Sequence, residues 1–232
     1  MLTNLVNRVM LNLTRSVNML GKVSTIYQTF ENLQPEKRLR IITAAMREFA
    51  AHGFKNASTD VIVQAAGISK GALYHYFGNK KNLYLYLFDH GIDVLANKLL
   101  CRIDLNEQDM FRRLRQIAQV KLELFQQYPN VIDFVMTANM EEDARVKADL
   151  QSRIKDLSDL RVHEALSNFD TSAFRDGIDP AKVLEIVTWT INGLVERAIR
   201  LVRSHPGRSI NYQELFAEVD AYLEMLKQGF YK

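Results

Sequence analysis

The chain has 232 residues, 47% of them hydrophobic and 25% charged, an ordinary globular composition with enough length for one large or two modest domains. Its single cysteine, Cys101, excludes an internal disulfide framework and fits a reducing cytoplasm, and no apolar run reaches the roughly eighteen residues that a membrane span needs. The net charge of +3 is uneven: residues 36–82 hold eight Lys/Arg against three acids, whereas residues 83–232 hold nineteen against twenty-three, so the basic stretch is the one suited to phosphate.

Residues 1–22 carry Arg8, Arg15 and Lys22 and no acid, with Leu2, Leu5, Val6, Val9, Leu13, Val17 and Leu20 at roughly helical spacing. An amphipathic surface or transit-like helix, an extension packing on a dimer or on DNA, and a stretch outside the functional protein are the three readings. Thr25 to Gln34 reads as a polar lead-in. Pro35 opens the first long helix, where its missing N–H costs nothing. That helix places Leu39, Ile42, Met46 and Phe49 on one stripe, and Gly53 ends it before Phe54 turns inward.

Ser58 to Phe77 reads as two short helices around a tight turn. Ser58 caps the first, whose inward positions are Ile62 and Ala65. Gly67 supplies the turn's unusual backbone angle, Ile68 plugs inward and Ser69 caps the second helix, Lys70 to Phe77. With Leu73 and Phe77 inward, the second helix offers a basic start, the small residues Gly71 and Ala72, and Tyr74, His75 and Tyr76. Such a helix fits a major groove. Val61 stands where a capping box would want Glu or Gln, and Asp60 sits near the place a phosphate would occupy.

From Glu36 to about Leu87 the chain resembles the TetR family of bacterial transcription regulators. The matching pieces are Ala50-Ala51-His52-Gly53-Phe54, Ala57-Ser58, Ala65 through Gly71, Leu73 through Phe77, and Asn79-Lys80-Lys81-Asn82-Leu83. The resemblance implies an all-α protein. Its helix-turn-helix DNA-binding domain would cover residues 35–82, and a helical ligand-binding and dimerisation domain residues 83–232. It also implies that Ser58, Thr59, Lys70, Tyr74, Tyr76 and Lys80 position the protein on phosphates, while Lys70, Gly71, Ala72 and His75 approach base edges. Chains of the family usually begin a dozen or so residues before the first helix. Residues 1–34 are therefore an extension of doubtful status, and a functional start near Val23 is the preferred reading.

Leu83 to about Arg102 is predicted as one long helix, apolar nearly all round at its start and so buried on two sides, with Gly91 a place for bending or for close packing. Further helices are predicted over Asp109 to Tyr128, Asn130 to Met140 and Glu141 to Phe169. Asp179-Pro180 opens another, running to about Ser204, and an Asn211/Glu214 capping box opens the last. The last two helices carry more apolar surface than one small core needs, which suits pairing with a second copy as a four-helix bundle; the family dimerises this way.

A homodimer reading a palindromic operator in double-stranded DNA is therefore expected, in the cytoplasm, as a repressor released by an unknown small-molecule ligand. Phe111, Phe125, Phe134, Met136, Met140 and Trp189 are candidate lining residues for that ligand. No phosphate-cradling G-x-x-x-x-G-K and no H-E-x-x-H occurs, and the five histidines show no metal spacing with Cys101. No enzyme, metal site or cofactor is expected. The alternative function is a membrane-surface protein using the first twenty residues.

Overall fold

The structure is a computed structural model; it describes residues 27–157, 168–204 and 210–232. The expectations for residues 1–22 lie outside the described residues. The protein is all-α, with no strand among the described residues and one isolated bridge between Phe174 and Tyr231. After a helical segment at 27–31 come α1 (Pro35–Asn56), α2 (Thr59–Ala66), α3 (Lys70–Phe77), α4 (Lys80–Leu100) and α5 (Met110–Gln127). They are followed by α6 (Pro129–Asn139), α7 (Ala144–Leu157), α8 (Pro180–Ser204) and α9 (Tyr212–Phe230).

The ends follow local chemistry. Pro35 opens α1; Asp109 caps α5 by accepting from the Arg112 N–H at 3.0 Å; Asp179 accepts from the Ala181 N–H at the start of α8. Asn211 accepts from the Gln213 and Glu214 N–H groups at the start of α9. One helix starts later than predicted. Residues 141–143 are loop, α7 is described over Ala144–Leu157, and Asn168 and Phe169 are not helical; residues 158–167 of that prediction lie outside the described residues.

The chain forms two compact units: residues to Gly91 with 130–152, and 92–129 with 153–232. The core of the first is aromatic. Phe30, fully buried, meets the rings of Phe77 at 4.7 Å, Tyr86 at 5.3 Å and Tyr76 at 5.8 Å. Tyr27 is also buried and donates to the Asn82 carbonyl, while the Tyr86 hydroxyl donates to Glu31. The stretch read as a polar lead-in is thus part of the core.

Leu83 to Phe88 are six consecutive buried residues, as the all-round apolar pattern predicts. Gly91 packs closely: a Cβ there would stand 2.9 Å from Val135 Cγ2. Leu39 is 64% exposed. The buried side of α1 centres on Ile42, Ala45, Met46 and Phe49, and at 100° per residue Leu39 falls at the margin of that stripe. Ala65 is exposed for the same reason, since α2 buries Ile62, Val63 and Ala66.

The Tyr84 hydroxyl is buried among Phe49, Phe54 and Phe134, with no hydrogen-bond partner among the described residues. Burial raises its pKa. An unsatisfied buried hydroxyl is costly, so Tyr84→Phe is expected to raise stability by about 1 kcal/mol. Urea denaturation checks this, and a lower midpoint would show that the hydroxyl is bonded after all.

The second unit has its own core, in which Phe111, Leu114, Ile117, Val183, Val187, Leu194, Val219 and Leu223 meet. Buried Arg113 ties a loop to it. Its guanidinium donates to the Glu107 and Leu105 carbonyls and lies over the Phe169 ring at 4.6 Å.

Candidate nucleic-acid interface

Two helices and their turn are built from paired caps. Ser58 Oγ accepts from the Val61 N–H, at a long 3.5 Å. Glu48, buried in α1, fixes Ser58 itself by accepting from its backbone N–H at 2.8 Å. Gly67 closes α2 with φ +66°, the left-handed region that L side chains avoid. Ser69 then caps α3, its Oγ accepting from the Ala72 N–H at 3.1 Å.

These caps set which way α3 faces. Leu73, Tyr76 and Phe77 point inward; Lys70, Gly71, Tyr74 and His75 are exposed, and Ala72 is partly so. Tyr76 departs from the sequence expectation. It lies three residues after Leu73, on the same face, and its ring is buried against Phe30. The outward face of α3 is therefore Lys70, Gly71, Tyr74 and His75, beside the half-exposed Ser58 and Thr59.

Two lysines here are engaged. Lys70 Nζ lies 2.9 Å from Asp60 Oδ1, an exposed pair whose hydrogen bond and charge raise the Lys70 pKa. Lys80 Nζ donates to the Ala57 carbonyl at 2.5 Å and to the Lys55 carbonyl at 3.3 Å. It sits 5.3 Å from the Phe54 ring. Burial, then the charge of Arg145, lowers its pKa. Lys80 therefore braces the junction of α1 and α2. Asn79 caps α4 by accepting from the Asn82 N–H.

Glu141, the predicted first residue of a long helix, lies in a loop instead. Glu141 accepts from the Phe54 N–H at 2.7 Å, just after Gly53 breaks α1 with φ +67°. Its other oxygen accepts from the Glu142 and Asp143 N–H groups. Arg145 is paired to Asp143 and lies 4.8 Å from the Phe54 ring.

The run Gly67-Ile68-Ser69-Lys70-Gly71 spells the G-x-S-x-G of a nucleophile elbow. That motif needs a strand before the serine; here a helix precedes it, and Ser69 Oγ is a helix cap. No metal-ligand cluster occurs among the described residues. No described helix is long and apolar enough to cross a membrane.

The six candidate lining residues are distributed over both units. In the first, Phe134 is fully buried against Tyr84 and Phe49, and Met136 and Met140 are partly buried. In the second, Phe111 packs edge-on against Tyr231 and Phe125 against Tyr212. Trp189 differs most from expectation: it is 67% exposed on the outside of α8.

Comparisons agree with this geometry. Residues 41–87 match the profile of the family described as bacterial regulatory proteins, tetR family. The chain is 26% identical over 164 residues to YdgC of Bacillus subtilis, an uncharacterized HTH-type transcriptional regulator. That match covers 69% of this chain and 80% of the relative. It is 44% identical over 50 residues to AcnR of Corynebacterium glutamicum, an HTH-type transcriptional repressor, covering 22% of this chain and 27% of that one.

Among solved structures, SmeT of Stenotrophomonas maltophilia, the repressor of the multidrug efflux pump SmeDEF, aligns with a TM-score of 0.61 at 18% identity. It covers 88% of this chain and 93% of its own. A TetR family regulator from Chloroflexus aurantiacus aligns with a TM-score of 0.55 at 24% identity, over 88% and 98% of the two chains. At these identities the structures speak to the fold.

Proposed function

We propose that the chain, a TetR-family helix-turn-helix transcriptional regulator, works as a homodimeric repressor whose two α3 helices read a palindromic operator. The outward face of α3 carries this reading. Lys70, Gly71, Tyr74 and His75 are exposed on a helix whose opposite face is locked into an aromatic core. The first residues of such a helix approach base edges. Tyr74, Ser58 and Thr59 approach phosphates. Lys80 acts at one remove, by holding the start of α2 in place, and its ammonium adds positive charge beside that start.

One eight-residue helix reads few bases, so a second head is needed. Ile186, Trp189 and Leu201 on α8 and Met225 on α9 are exposed. The Arg197–Glu218 ion pair sets a register between these helices that brings Trp189 level with Met225. A second copy covering this face makes a four-helix bundle. Release from the operator by a small molecule bound in the C-terminal unit would be a coupling free energy of typically about 1–3 kcal/mol; Phe111 and Phe125 are its candidate contacts. The site of action is the cytoplasm, where a bacterial operator lies.

Selection of bound duplexes from a random DNA pool tests the reading. The expected product is a palindrome with half-site centres about 10 base pairs apart or a multiple of that. No enrichment by folded, dimeric protein would contradict it.

A further inference from the structure

Lys70 is the first residue of α3, the position from which a reading helix usually meets DNA. Its ammonium is nevertheless bound within the protein, 2.9 and 3.0 Å from the two carboxylate oxygens of Asp60. Asp60 stands in the first turn of α2, where the helix dipole favours a carboxylate. The two side chains are 69% and 51% exposed, so the pair is weak, screened by salt and free to exchange partners. No other acid lies between Ser58 and Phe77. The basic surface is therefore interrupted by one counter-charge, placed on the lysine nearest the reading end.

We propose that Asp60 is a positioning residue that competes with DNA phosphate for Lys70, leaving the pair electrostatically silent toward DNA. The inference rests on α3 being the DNA-reading helix. Each lysine that reaches a phosphate releases condensed counterions and steepens the salt dependence by nearly one unit. A lysine that must leave a carboxylate to do so yields little net gain, and the stranded carboxylate then repels the same phosphates. Asp60 thereby keeps binding to arbitrary DNA weaker and less salt-sensitive than the lysine count implies.

Affinity for a random-sequence duplex is measured from 50 to 200 mM KCl for the intact protein, Asp60→Asn, Lys70→Met and the double variant, with melting curves to verify folding. Asp60→Asn is expected to bind roughly three- to tenfold tighter at about 100 mM salt, with a log–log slope steeper by about one for each head that engages the duplex. In the Lys70→Met background the same Asp60→Asn change is expected to steepen the slope by less than half as much, because no ammonium is there to be released to a phosphate. Asp60→Ser, which keeps a residue favoured at helix starts, should reproduce Asp60→Asn. Unchanged or weaker binding by Asp60→Asn overturns the proposal. So does an equal steepening by Asp60→Asn with and without Lys70, because Asp60 would then act as a bare negative charge and not through the lysine. Absence of salt-dependent binding by every form overturns the DNA-binding reading itself, and this inference with it.

Discussion

Ile186→Glu combined with Trp189→Glu is expected to yield a folded monomer with operator affinity lowered about a hundredfold or more. Trp189, 67% exposed, is the largest apolar side chain on the surface of α8, and an indole carries roughly 150–250 Å² of surface. Ile186, one turn earlier on α8, and Met225 on α9 are exposed as well, which extends the apolar surface beyond a single residue. Gly193, four residues on from Trp189, has nothing within 4 Å of where a Cβ would stand, so a partner helix can approach closely. Two carboxylates there would be desolvated and unpaired in a bundle. In a dimer the second head binds as an intramolecular event; that advantage is typically about 10²–10⁴, and the monomer loses it. Sedimentation equilibrium and anisotropy titration check both halves of the expectation. A variant that remains dimeric, or a monomer that binds as before, would place the partner face elsewhere.

Phe30→Ala is expected to destabilise the N-terminal unit by about 3–5 kcal/mol and so to abolish DNA binding near physiological temperature. Phe30 is fully buried and touches three rings, two of them on α3. Truncation leaves a cavity under Tyr76 and Phe77, the residues that hold the back of the reading helix. Phe30→Leu, which keeps most of the volume, should lose less than half as much stability. Urea denaturation measures the first effect. A loss under 1 kcal/mol would mean that the segment at 27–31 is an ornament on the unit rather than part of its core.

Local signals in the sequence carried the reading pair. Ser58, Gly67 and Ser69 act within a few residues of themselves, and their caps and turn stand where spacing put them. Asp109, Pro180 and Asn211 mark helix starts in the same way. What was illegible depends on long-range contact. Tyr27 and Phe30 are three apart in a polar stretch, too short a pattern to show that they meet α3 and α4. Glu48 and Glu141 look like surface acids, yet each accepts a backbone N–H, from Ser58 ten residues away and from Phe54 eighty-seven residues away. Tyr76 could have been placed by strict counting, since an interval of three from Leu73 returns to the buried face. Trp189 illustrates the opposite limit: hydrophobic spacing marks a face to be covered, but not whether a pocket or a second chain covers it.

The most direct test of α3 as the reading element compares the intact protein with Tyr74→Ala on the duplex recovered from the random pool. Tyr74 is 38% exposed on the outward face and forms no part of the aromatic core, so the variant should melt as the intact protein does. The account predicts a loss of about ten- to a hundredfold in affinity, in line with one phosphate hydrogen bond of about 1 kcal/mol lost by each head. Unchanged affinity for the palindrome, in a variant as stable as the intact protein, would contradict it.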